Sequence, residues 1–141
     1  MIGIFIAIGV VAEIGIFAFA AIFFKSFSLK TLISASILLT AVRWFMVGHF
    51  ADSNIALALS QLIHALSFGL YHSASIAFIQ QHFNAKQQSR GQAIYIGGVY
   101  GVGGAVGAYV AGLLWQNGIG AVITFDFAAV TALIGGVLAL F

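Results

Sequence analysis

The chain contains no cysteine and no proline. Only 6% of its residues are charged, against about 25% in an ordinary soluble domain. Each absence removes a class of protein. Without cysteine there is no disulfide scaffold and no thiolate metal site. Without proline no helix is kinked by a pyrrolidine ring, which leaves glycine as the available source of bending. Five basic and three acidic residues cannot clothe the surface of a 14.8 kDa globule, so an ordinary soluble protein, a disordered chain and a basic-faced nucleic-acid binder are all excluded. What is present is apolar: 62% hydrophobic and 14% aromatic residues, with a mean hydropathy of +1.14. Lipid is the solvent this composition suits.

A helix rises about 1.5 Å per residue and the hydrocarbon core is about 30 Å thick, so one crossing takes roughly 20 apolar residues. Five such runs fit the 141 residues: Ile2–Phe24, Thr31–Phe50, Ile55–Ile79, Gln92–Trp115 and Ile119–Phe141. The breaks are short and polar, and no strand-like alternation suggests a barrel. The expected fold class is therefore an all-α, polytopic membrane protein of five transmembrane helices. Lys25 and Lys30 fall in the first break and Lys86 and Arg90 in the third, while the second holds Asp52 and the fourth no charge. The positive-inside rule then places the first and third loops in the cytoplasm, the N-terminus outside and the C-terminus inside. Glu13 interrupts the first run and no basic region precedes it, which argues against a cleaved signal peptide. The chain starts one residue before an apolar span and stops inside another, which points to a fragment of something longer.

Three charged residues lie inside spans. Glu13 is the middle residue of the first run, about 17 Å from either end. Arg43 lies about 4 Å from the centre of the second span, and Asp126 about 6 Å from the centre of the fifth. His64 joins them at similar depth in the third. A charge at the bilayer centre costs about 2.5–3.5 kcal/mol on insertion scales, so such groups turn inward, pair or line a wet cavity. Several at one depth point to a polar pathway. The bland alternative is a structural salt bridge between Glu13 and Arg43, with Asp126 snorkelling.

The third span adds a stripe. Ser60, Gln61, Ser67, Tyr71, His72 and Ser75 fall within about 80° of His64 at 100° per residue, with Ser73 opposite. Such a face lines water, a ligand or a hydrogen-bonding partner helix. His49 and His82 read as interfacial. The fourth span is glycine-rich, and its Gly97/Gly101 and Gly103/Gly107 pairs are spaced for close helix packing. A nucleotide-binding reading of those glycines fails for want of a preceding strand. No metal set, nucleophile triad or other enzymatic constellation is recognisable, and no cofactor is implied.

With these residues in view, the segments Ile8-Gly9-Val10-Val11-Ala12-Glu13, Val42-Arg43-Trp44, Leu62-Ile63-His64-Ala65 and Arg90-Gly91-Gln92-Ala93 resemble the C-terminal half of major facilitator superfamily permeases. The nearest likeness is to the phenylpropionate permease group, a relative of lactose permease-like proton symporters. The resemblance implies helices eight to twelve of a twelve-helix fold, in a bacterial inner membrane. It places the helix-eight glutamate on Glu13, the helix-nine arginine on Arg43 and the helix-ten histidine on His64. A proton-handling acid that the lactose type carries three residues later is Ser67 here, so proton transfer would fall to Glu13 itself or follow another route.

The resulting expectation is part of a proton-coupled symporter of small organic solutes such as aromatic acids. The pathway would comprise Glu13, Arg43, His64, Gln61, Ser67, Tyr71 and Asp126. Its partners would be the lipid bilayer, protons, the solute and a missing N-terminal transporter half, against which the two halves would rock; one half alone would not transport. Two other readings fit less of the sequence. In a small multidrug exporter Glu13 would be the membrane glutamate, but five spans and Arg43 speak against it. In an accessory subunit the polar slab would only hold helices together.

Overall fold

The computed structural model describes residues 2–141, and among the described residues it is helical throughout, without strands. α1 (Ile2–Ser26) and α2 (Leu29–His49) are the first two spans. The third, Asn54–His82, consists of α3 (Asn54–His64), a π-helical stretch (Ala65–Leu70) and α4 (Tyr71–His82). The fourth, Gln88–Gly118, is α5 (Gln88–Tyr95), a second π-helical stretch (Ile96–Gly103), α6 (Gly104–Trp115) and a 3₁₀ turn. α7 (Ala121–Leu138) is the fifth. All five are long and apolar enough to cross a membrane.

The helices start where capping chemistry allows. The Ser28 hydroxyl accepts from the Thr31 amide at 3.1 Å and begins α2. Ser53 does the same for α3, accepting from the Ala56 amide at 3.3 Å. Each satisfies one of the orphan amides that a helix start exposes. The helices also run past several edges of the apolar runs, the third to His82 and the fourth from Gln88, because polar side chains at a membrane boundary reach water without ending the backbone ladder. The fifth span is shorter than its apolar run. Gln116, Asn117 and Gly118 all take positive φ, which ends the fourth span in a left-handed turn.

The interior is built from small residues. The largest fully buried side chains are Ser34, Ser36 and Ser60, while Ile4, Val11, Phe19 and Ile123 point outward. In lipid nothing drives large apolar groups inward, and helices associate where small side chains let backbones approach. The α2–α7 contact, the most extensive in the fold, follows that rule. Ser34 Oγ donates to the Gly136 carbonyl at 2.6 Å, and a Cβ on Gly136 would meet Leu38. Trp44 stacks on Phe125 at 5.6 Å. α1 lies against the third span, which also packs on α2, so Glu13 and Arg43 stand on the two helices that flank the span carrying His64.

The glycine pairs of the fourth span do not behave as expected. Gly97 and Gly107 have nothing within reach of an added Cβ, and Gly97, Gly101, Gly103 and Gly107 are all exposed. Their spacing permits close approach, but among the described residues no neighbouring helix occupies the face they open.

Candidate functional site

His64 joins the two charges. Arg43 Nη1 lies 2.7 Å from His64 Nδ1, and His64 Nε2 lies 3.1 Å from Glu13 Oε1. A guanidinium only donates, so Nδ1 must present its lone pair. The ring proton then sits on Nε2 and is donated to the Glu13 carboxylate. The geometry selects one neutral tautomer. The direct Glu13–Arg43 salt bridge of the bland reading is absent among the described residues; an imidazole stands between the two groups and hydrogen-bonds to both.

Neighbouring groups hold this chain of contacts. The Arg43 guanidinium lies 4.2 Å from the Trp44 ring centroid, a cation–π distance, and Trp44 is braced by Phe125. His64 stacks on Phe68 at 5.4 Å. Arg43 Nε is buried without a partner among the described residues, which leaves the guanidinium with hydrogen-bonding capacity that they do not use. A cavity of about 250 Å³ opens beside it, lined by Thr40, Arg43, His64, Ser67, Tyr71 and Tyr100 among others. Ser67 Oγ donates to the His64 carbonyl at 3.2 Å, within the π-helical turns that follow the histidine. π-Helical turns in a helix are frequent at functional sites.

Of the residues singled out from sequence, Arg43, His64, Ser67 and Tyr71 share this cavity, and Glu13 reaches it through His64. Gln61 stands aside. Its Oε1 lies 3.0 Å from where a Cβ on Gly9 would be, so the glycine is what lets the amide lie against α1. Asp126 is elsewhere: its Oδ1 accepts from His49 Nε2 at 2.8 Å. That contact joins α2 to α7, and the structure does not bring Asp126 to the Glu13–His64–Arg43 chain. It also gives His49, read as interfacial, a specific partner.

Two residues of the neighbourhood escape a reading of the sequence. Tyr95 and Tyr100 each place a hydroxyl 3.4 Å from His72 Nδ1, and the two hydroxyls are 3.2 Å apart. Residues five apart lie about 140° apart on an ideal α-helix, so Tyr95 and Tyr100 do not read as one face. The π-helical turns between them, with i→i+5 hydrogen bonds, bring them together. The sequence signal available was the tyrosine content beside a glycine-rich run.

Comparison with known proteins agrees with this architecture. The chain is 24% identical over 113 residues to the xanthosine permease of Escherichia coli (strain K12), an overlap that covers 78% of this chain and 27% of that protein. The chain thus spans about a quarter of the length of the curated relative it matches. No solved structure matches it. The MFS_1 like family matches residues 1–127. With five membrane-length helices and nine-tenths of its sequence inside that match, the chain belongs to the MFS_1 like family of the major facilitator superfamily.

Proposed function

We propose that the chain carries the coupling site of a proton-driven symporter for small organic solutes, with Glu13, His64 and Arg43 as its moving parts. The observation that carries this is the single lone pair on His64 Nδ1. A proton arriving at His64 must take that lone pair, since Nε2 already holds a proton donated to Glu13. Nδ1 can no longer accept from Arg43, and the guanidinium turns to another acceptor, a solute carboxylate or carbonyl in the adjoining cavity. The imidazolium is then held by the Glu13 carboxylate. Proton and guanidinium compete for one atom, which ties solute binding to protonation without the acid that lactose-type symporters carry at the Ser67 position. Ser67 and Tyr71 offer the solute hydrogen bonds.

The solute class rests on resemblance. Likeness to the phenylpropionate permease group favours aromatic acids, and the matched permease adds xanthosine to the compounds to test. In this reading the chain forms helices eight to twelve, with the N-terminus outside and the C-terminus in the cytoplasm of a bacterial inner membrane. A second half is needed for alternating access.

The test uses the complete transporter that carries this chain, reconstituted in liposomes with an inward proton gradient and labelled 3-phenylpropionate or xanthosine. The parent accumulates at least one of these above equilibrium, while Glu13→Gln only equilibrates it. Accumulation retained by Glu13→Gln contradicts the coupling role. Uptake by liposomes holding residues 1–141 alone contradicts the need for a second half.

A further inference from the structure

The middle of the fourth span is unusually free. Every residue from Ile96 to Gly103 is exposed, the backbone there is π-helical, and Gly97, Gly98 and Gly104 have open space around them. A stretch that has left the α-helical ladder and carries glycines at 97, 98, 101 and 103 bends at little steric cost. Against this freedom stands one polar node. Tyr95, at the start of the free stretch, and Tyr100, within it, both converge on His72 of the third span. The rings support the same contact: Tyr100 lies 6.1 Å from Phe68, and Tyr95 lies 5.8 Å from His72.

We propose that His72, Tyr95 and Tyr100 form a latch that holds a hinge in the fourth span against the third, and that Tyr100 leaves the wall of the Arg43–His64 cavity when the latch opens. Tyr100 is the residue shared by the two features, since it lines the cavity and bonds to His72. Contacts of 3.2–3.4 Å are longer than a strong hydroxyl hydrogen bond and suit a closure that must reopen. His72 has one Nδ1 for two hydroxyls, so either tyrosine can remain attached while the other moves. The consequence for the cavity rests on its reading as the solute site; the latch and hinge do not.

The absence of cysteine makes the motion measurable. Phe45→Cys, on the exposed face of α2, and Gly104→Cys, in open space, accept spin labels in the chain reconstituted in lipid nanodiscs. Pulsed dipolar spectroscopy then reads the distance between the spans. The labelled parent gives one narrow distribution. Adding Tyr95→Phe and Tyr100→Phe, which keep both rings and remove both hydroxyls, at least doubles its width toward longer distances, and His72→Phe does the same. Tyr109→Phe, on the same span but outside the node, leaves the width unchanged. A parent-like distribution in the double variant overturns the latch, and so does equal broadening by Tyr109→Phe. Should the double variant lose helical signal, Tyr100→Phe alone carries the test with the same expectation. No solute or proton gradient is present, so this result and the accumulation experiment fail separately.

Discussion

At the residue scale, His64 decides the chemistry. Glu13, Arg43 and His64 were legible in the sequence because ionisable groups inside apolar runs are costly and therefore informative. Their order in space was not. The side-chain depths allowed Glu13 and Arg43 to pair directly, and only the placement of the third span between α1 and α2 puts imidazole in the middle. Its bonds can be imitated: a Gln amide also offers an acceptor to Arg43 and a donor to Glu13. We therefore expect His64→Gln to retain most of the chain's thermal stability in detergent. His64→Ala strips both charged groups of their partner and costs about 1–3 kcal/mol. Equal losses in the two variants would show that packing, not hydrogen bonding, is what His64 supplies.

Asp126 is the contrasting case at this scale. Its depth along the fifth span resembled that of the others, and that depth alone grouped it with them. Depth is a single coordinate. Which way a side chain faces around the bundle depends on how the helices are arranged, and α7 turns Asp126 toward His49 on α2.

At the element scale, all five spans could be read because apolar length is the strongest signal a membrane sequence carries. The two π-helical stretches could not, since a single turn of i→i+5 bonding leaves no periodic signature in an apolar run. Glycine spacing was an unreliable guide to which helices touch. Among the described residues the pairs in the fourth span meet no other helix, whereas Gly136, outside any such pair, sits where a Cβ would meet Leu38. Substituting the two sites separates these roles. Gly136→Leu should push α7 from α2, break the Ser34 bond to its carbonyl and lower the unfolding temperature by several degrees, corresponding to about 1–3 kcal/mol. Gly107→Leu should change stability by less than about 0.5 kcal/mol, because its surroundings are open. The reverse order would place the packing seam on the fourth span.

At the scale of the whole molecule, small buried serines and outward aliphatic side chains define a bundle suited to lipid, in which Glu13, His64 and Arg43 meet where the third span lies between α1 and α2. The central claim is that Glu13, His64 and Arg43 form one hydrogen-bonded chain through a single histidine tautomer, and nitrogen NMR reads this directly. In ¹⁵N-histidine-labelled chain in nanodiscs at neutral pH, with His64→Gln used to assign the signal, Nε2 of His64 should resonate as a protonated nitrogen and Nδ1 as an unprotonated one. Arg43→Gln should shift the Nδ1 resonance. A His64 that carries its proton on Nδ1, or whose Nδ1 ignores the loss of Arg43, would contradict the account.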